Sequence, residues 1–165
     1  MKPQVTFLSK WHVSLGFLAS MRTLLLISCS ELLSSPASAF EVNYPEFTST
    51  NGMVYQESAT IVGNWLRLTS SSGITGAAWL DSKPRVTNGF ETVFQFRING
   101  LVNGGADGFI FMIEGTPAPV RGGSGGALGF APLTNNLAVE FDTSNTTGDP
   151  NDNHISVQSR GTRDN

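Results

Sequence analysis

The stretch with the clearest capacity for chemistry is residues 140–154. These fifteen residues hold four carboxylates, one imidazole and three asparagines. If Glu140 and Asp142 lie on a strand, their side chains point the same way, because side chains on a strand repeat every two residues. The Asn-, Gly- and Pro-containing segment that follows allows the chain to fold back. Asp149 and His154 can then return to the end of that strand.

Carboxylates gathered around one point predict a bound cation. Like charges at short distance repel each other strongly unless a positive ion neutralises them. Carboxylate oxygens suit Ca²⁺ or Mn²⁺ and an imidazole favours a transition metal, so a mixed set can serve two neighbouring ions. The spacing is not that of an EF-hand, because the D-x-D-x-D-G pattern is absent. The alternative is a polar loop in which Asp and Asn only cap turns.

Glycine is concentrated in residues 100–129, which contain ten of the 18 glycines, and above all in the run Gly122-Gly123-Ser124-Gly125-Gly126, the glycine-rich loop. A glycine-rich loop can hold phosphate where it opens a helix, but this one lies between strand-like stretches and lacks the Lys-Ser/Thr of a P-loop. Two interpretations stay open. The segment is either a flexible loop or a loop whose backbone N–H groups approach a ligand closely, which glycine permits without steric cost.

The elements that must position these candidates read as short strands. Residues 90–98 alternate between apolar and polar side chains, which predicts a half-buried strand. Gly63-Asn64 between two short apolar runs predicts a hairpin. Residues 108–113 are apolar on both faces and predict a central strand. Residues 137–142 and 155–158 are further strand candidates, and no stretch shows three turns of helical periodicity. We therefore expect an all-β sandwich.

Length and composition bound the class of protein. A chain of 165 residues is the usual size of one domain, and 39% apolar residues exclude a wholly disordered chain. A net charge of −3 argues against a nucleic-acid partner, because such proteins neutralise phosphates with Lys and Arg.

The first 39 residues differ from the rest of the chain. They contain basic residues and short apolar runs, and they end in Pro36-Ala37-Ser38-Ala39, a small-x-small pattern before Phe40. This predicts a secretory signal at residues 1–39 and a secreted, extracellular protein. Cys29 leaves with that leader. No run approaches the ~18–20 residues of a membrane span. The alternatives are an amphipathic helix that stays attached and a true start at Met21.

Four segments in this order resemble the legume-type (L-type) lectin family: ADGFIF at 106–111, GGALGF at 125–130, LAVEFDT at 137–143, and Asp149-Pro150 followed by HISV at 154–157. The first two are weak singly, and the VEFDT…DP…HI run is specific. The resemblance covers most of residues 40–165. It implies an antiparallel, concanavalin A-like jelly-roll β-sandwich that binds glycans or glycoproteins without catalysis, using one Mn²⁺ and one Ca²⁺.

The resemblance also implies the site residues. In this family the transition metal is held at the positions of Glu140, Asp142, Asp149 and His154. Calcium is held at those of Asp142, Asp149, Asn145 and the backbone carbonyl of Ser144. Carbohydrate is bound at those of Asp107, which follows a cis peptide bond, Gly126, which donates its N–H, and Asn145, which donates from its amide.

The sequence departs from the family pattern in the metal loop. The segment between Asp142 and Asp149 is short, and Ser144 stands where an aromatic residue packs on the sugar. Asn145 also begins an N-x-[ST] sequon, and a glycan there would compete with a ligand role. A complete domain of this family extends well beyond Asn165. We therefore expect a fragment that holds the N-terminal part of the domain and leaves sheet edges open.

Two other functions stay open on the sequence. Residues 140–142 superficially resemble the E-x-D-x-(x)-E motif of glucanases with the same sandwich, but Ser144 and Asn145 occupy the places of the second Glu. Neither transfers a proton as a carboxyl does, so we do not expect an enzyme. The other alternative is a structural or adhesion domain that has lost sugar binding but keeps its metals for folding. Sugar specificity and oligomeric state are left open.

Overall fold

The computed structural model describes residues 40–86, 89–99, 106–116 and 120–159, together with the backbone of residues 4–14. Within these residues the chain is all-β, as predicted, and its one helical element is the 3₁₀ turn Gly125–Ala127. No helix in the described part of the chain is long and apolar enough to cross a membrane. The strands are β1 (Gln4–Ser14), β2 (Glu41–Pro45), β3 (Met53–Glu57), β4 (Thr60–Val62), β5 (Trp65–Arg67), β6 (Gly76–Leu80), β7 (Glu91–Asn99), β8 (Gly108–Glu114), β9 (Asn136–Asp142) and β10 (His154–Ser159).

The strands form three antiparallel sheets. In the first, β1 pairs with β7 along one side and with β2 and β5 along the other, and β4 continues the sheet beyond β5. The second has the order β10-β9-β8, and the third joins β3 to β6. Strand β1 lies within the predicted leader, residues 1–39, and cleavage before Phe40 would remove it. The boundary of the leader stays a prediction. The rest of residues 1–39, including the small-x-small pattern, lies outside the described residues.

Local patterns in the sequence correspond to these strands. The β4–β5 hairpin turns at Gly63-Asn64, where Gly63 has a φ of 62° that suits glycine. The alternating residues 90–98 fall on β7. The expectation that residues 108–113 form a central strand is wrong for the described part of the sheet, because β9 is central and β8 lies beside it. Both faces of β8 are nevertheless largely covered, which explains why its sequence is apolar throughout.

One apolar cluster, in which Phe109 is buried and Phe96 is 38% exposed, lies between β7 and one face of the β8–β9–β10 sheet. The strand register places Phe109 opposite Phe141. Their rings stack with centroids 4.6 Å apart, and the ring of Phe96 from β7 packs edge-on at 4.7 Å from Phe109 and 4.9 Å from Phe141. Stacked and edge-to-face contacts are the favoured geometries of aromatic pairs. This cluster therefore fixes the sheet that carries residues 140–154 against the rest of the domain.

A second cluster joins β2 and β5 through Tyr44, Phe47 and Leu66, all of them buried. The Tyr44 hydroxyl donates a hydrogen bond to the carbonyl of Asn51 at 2.9 Å. Burial, and secondarily the neighbouring Tyr55, raises the pKa of the Tyr44 hydroxyl.

The core predicts the effect of truncating an aromatic residue. Phe109 is 4% exposed, whereas Ile155 of the same sheet is 67% exposed. We expect Phe109→Ala to lower the free energy of unfolding by about 3–5 kcal/mol, because it leaves a cavity under two rings. Urea denaturation followed by tryptophan fluorescence measures this. The control Ile155→Ala should cost less than about 1 kcal/mol, and equal costs for the two variants would contradict this assignment of the core.

Candidate functional site

The polar face of the β8–β9–β10 sheet is buried. Along β9 every second residue is buried, which places Glu140 and Asp142 on one face, 0% and 2% exposed. The register with β10 puts His154 opposite Asp142 and Ser156 opposite Glu140. Two strands thus bring two carboxylates, an imidazole and a hydroxyl side by side.

A potential metal-binding triad lies at the end of this face. One ligand atom each from Asp142, Asp149 and His154 lies within 4.8 Å of the others. Asp149 is held there by Thr146, whose backbone N–H and hydroxyl both donate to Asp149 Oδ2 at 2.7 Å. The Asp149 N–H in turn donates to the Thr146 carbonyl at 3.0 Å. The chain folds back after β9, as the turn residues of this segment predicted.

The imidazole of His154 is oriented as a metal ligand would be. Its Nδ1 lies 3.1 Å from the carbonyl oxygen of Asn151. Because a carbonyl only accepts hydrogen bonds, Nδ1 carries the proton and a neutral ring keeps its lone pair on Nε2. Nε2 is buried and has no hydrogen-bond partner among the described residues. A backbone carbonyl on one ring nitrogen, with the other available to a metal ion, is the usual arrangement in metal sites.

Glu140 lies beside the triad on the same face and is tied to β10. The Ser156 hydroxyl donates to Glu140 Oε2 at 2.7 Å, and Gln158 Nε2 lies 3.4 Å from the same oxygen. Gln158 Nε2 also donates to Ser156 Oγ at 2.9 Å. Ser156 and Gln158 are not among the site residues predicted from the sequence. They follow His154 at positions i+2 and i+4, so strand periodicity was the signal that could have found them.

The main chain of Asp107 lies next to the end of β9. The Ala106–Asp107 peptide bond is cis, as the family resemblance implied. The Thr143 N–H donates to the Asp107 carbonyl at 3.0 Å, and the following Gly108 pairs with Asp142. A Cβ on Gly108 would lie 2.1 Å from the carbonyl oxygen of Phe141. Only glycine therefore allows β8 to approach β9 this closely.

The glycine-rich loop also lies close to Asp107, at the carboxylate of this residue. A Cβ on Gly125 would lie 3.9 Å from Asp107 Oδ2. Gly126 is the next residue of the same 3₁₀ turn and is half-buried. The structure therefore brings Asp107 beside the loop that contains Gly126.

The remaining predicted ligands lie in the loop after β9. The Ser144 N–H donates to Asp142 Oδ1 at 2.6 Å, which holds the start of that loop against the triad. Asn145 is exposed. The binding roles of Asp107, Gly126, Ser144 and Asn145 stay predictions.

Comparison with known proteins identifies relatives of the chain. A family model described as the legume lectin domain matches residues 39–163. An alpha-methyl-mannoside-specific lectin from Arachis hypogaea is 39% identical over 90 residues, which are 47% of this chain and 32% of that protein. The chain thus spans about a third of the length of this curated relative. No solved structure is significantly similar to it.

The close approach at Gly108 predicts a large effect of one methyl group. Gly108 and Gly148 both have positive φ, 125° and 103°, but no atom lies within 4 Å of a Cβ on Gly148. We expect Gly148→Ala to cost only backbone strain, about 1–2 kcal/mol. Gly108→Ala adds a steric clash with the β9 backbone and should cost roughly 1–3 kcal/mol more. Chemical denaturation of both variants gives the comparison, and a smaller loss for Gly108→Ala would contradict the described strand approach.

Proposed function

Because this chain belongs to the legume lectin family, we propose that it binds carbohydrate without catalysis, in a site that depends on Ca²⁺ and Mn²⁺. The observation that carries this proposal is the position of Asp107. Its carbonyl accepts a hydrogen bond from the N–H of Thr143, which directly follows β9, and its carboxylate lies beside Gly125 of the glycine-rich loop. A carboxylate between two loops is suited to accept hydrogen bonds from sugar hydroxyls.

The donor set supports both metal ions. Asp142, Asp149 and His154, with Glu140 beside them, would hold the transition metal, since an imidazole and carboxylates are ligands it accepts. Asp142, Asp149, the Asn145 side chain and the Ser144 carbonyl would supply the oxygens that Ca²⁺ requires. When bound, the ions neutralise the clustered carboxylates and hold the loop after β9.

The chain's own residues bind the sugar. Asp107 accepts hydrogen bonds from hydroxyls, while the Gly126 N–H and the Asn145 amide donate to hydroxyl oxygens. Ser144 supplies no aromatic surface, so binding rests on hydrogen bonds alone, and we expect weak affinity. A mannoside is the first ligand to test, because the curated relative is named as specific for alpha-methyl-mannoside.

The side chains near Glu140 favour binding over glycoside hydrolysis. Retaining hydrolysis needs two carboxyl groups about 5–5.5 Å apart, one of which protonates the leaving group. Ser144 and Asn145 occupy the positions where the second carboxyl of a glucanase would stand. Glu140 itself is fully buried and accepts a hydrogen bond from Ser156.

Secretion directed by residues 1–39 belongs to the same proposal and rests on the small-x-small pattern before Phe40.

The sugar-binding role of Asp107 is tested by Asp107→Asn. The substitution keeps the shape but removes the charge that strengthens hydrogen bonds to hydroxyls, worth about 1.5–3 kcal/mol. We expect affinity for methyl α-D-mannopyranoside to fall roughly 10- to 100-fold, measured by isothermal titration calorimetry in Ca²⁺ and Mn²⁺. Asp81→Asn, at an exposed carboxylate after β6, is the matched control and should bind as the unaltered chain does. Full affinity in Asp107→Asn would refute the role.

Metal dependence is tested by chelation together with His154→Gln. Ions that bind only the folded chain raise its stability by about 2.7 kcal/mol at a concentration 100 times Kd. EDTA should therefore lower Tm and abolish sugar binding, and Mn²⁺ with Ca²⁺ should restore both. In His154→Gln the stabilisation by Mn²⁺ should shrink, whereas the exposed neighbour Asn153→Ala should respond normally. A Tm that is indifferent to both ions would contradict the metal site.

A further inference from the structure

Backbone hydrogen bonds close the base of the glycine-rich loop, where residues 122–123 meet residues 129–131. The Gly122 N–H donates to the Gly129 carbonyl at 2.6 Å, and the Gly129 N–H donates to the Gly123 carbonyl at 2.8 Å. The Gly123 N–H donates to the Ala131 carbonyl at 2.7 Å. Residues 122–129 therefore form a compact unit, with Gly125 at the end that faces Asp107. The placement of that unit sets the distance between its amides and the Asp107 carboxylate.

Arg121 lies against both ends of the loop, at Gly122 and at Gly129. Its Nη1 donates to the Gly122 carbonyl at 2.6 Å, and a Cβ on Gly129 would lie 3.6 Å from its Cγ. The guanidinium then reaches across to Glu57 at the end of β3. Nη2 lies 2.7 Å and Nε 2.9 Å from Glu57 Oε1. One side chain thus connects the loop to a residue 64 positions earlier in the sequence.

Glu57 stands at a tightly packed corner between β3 and β4. The Ser58 hydroxyl lies 2.7 Å from the Leu68 carbonyl and 2.5 Å from the Thr75 carbonyl. The Ser58 N–H donates to Thr75 O at 3.1 Å, and the Thr75 hydroxyl donates to Glu57 Oε2. A Cβ on Gly76 would lie 2.1 Å from the Leu68 carbonyl, so the chains here are in direct backbone contact. This corner is a fixed point to which a loop can be anchored.

We propose that the Glu57–Arg121 ion pair is a positioning device that places the glycine-rich loop against Asp107 and thereby sets carbohydrate affinity. The proposal rests on the proposed function. The side chains of Arg121 and Glu57 are 25% and 43% exposed, and exposed pairs contribute little to global stability. Breaking the pair should therefore release the loop without unfolding the β-sheets.

The test uses the full chain with Arg121→Ala, Glu57→Gln and the charge-exchanged double variant Glu57→Arg/Arg121→Glu. Hydrogen exchange measured by mass spectrometry follows the amides of residues 121–131, with the amides of β9 as an internal reference. Calorimetry with methyl α-D-mannopyranoside gives the affinity. We expect each single variant to accelerate loop exchange and to weaken binding by roughly three- to tenfold, and the double variant to recover part of both.

The control is Arg85→Ala, which removes the same charge from an exposed position after β6. Tm and β9 exchange of the single variants should match this control, because a merely structural role would move both. Unchanged loop exchange would overturn the proposal whatever the chain binds, and faster exchange with unchanged affinity would overturn it as well. If the unaltered chain binds no sugar on a broad glycan array, the proposed function fails, and loop exchange alone decides whether the pair positions the loop.

Discussion

The contact on which the site depends is between two backbones. Thr143 N–H donates to the Asp107 carbonyl, and Gly108 lies against the Phe141 carbonyl with no room for a Cβ. Main-chain contacts of this kind leave little freedom, because neither strand can shift without breaking hydrogen bonds or colliding. Asp107 is thereby fixed relative to the strand that carries Asp142. A displacement of Thr143, at the start of the loop after β9, would therefore also displace Asp107.

The two faces of β9 have different roles in the fold. One face of β9 contributes Phe141 to the aromatic core, and the other buries Glu140 and Asp142. Burying carboxylates is unfavourable unless hydrogen bonds or opposite charges compensate. Hydrogen bonds supply part of that compensation, since the Ser156 hydroxyl donates to Glu140 and the Ser144 N–H donates to Asp142. A cation at Asp142, Asp149 and His154 would complete the compensation, which is why metal binding and folding are expected to be coupled in this domain.

The parts of this arrangement that sequence could predict are those set by neighbours along the chain. Strand periodicity places Glu140 and Asp142 on one face, and the turn residues before Asp149 predict that the chain folds back. The parts that it could not predict depend on which segments meet in space. The pairing of Ser156 with Glu140 follows from the β9–β10 register, and the ion pair of Arg121 with Glu57 joins residues 64 positions apart. Strand periodicity could place Ser156 on the same face as His154, but neither pairing leaves a mark in local composition or spacing.

The two sides of the proposed sugar site are supported by different physical means. Asp107 is held by backbone hydrogen bonding and steric contact, which added salt does not weaken. The glycine-rich loop is held to the β3 corner by an ion pair that is partly exposed to solvent, and such pairs are screened as ionic strength rises. If the pair positions the loop as proposed, salt acts on the donor side of the site and leaves the Asp107 side in place. The position of the acceptor, the Asp107 carboxylate, is then independent of salt. The position of the backbone donor, the Gly126 N–H, is the part of the site that ionic strength can change.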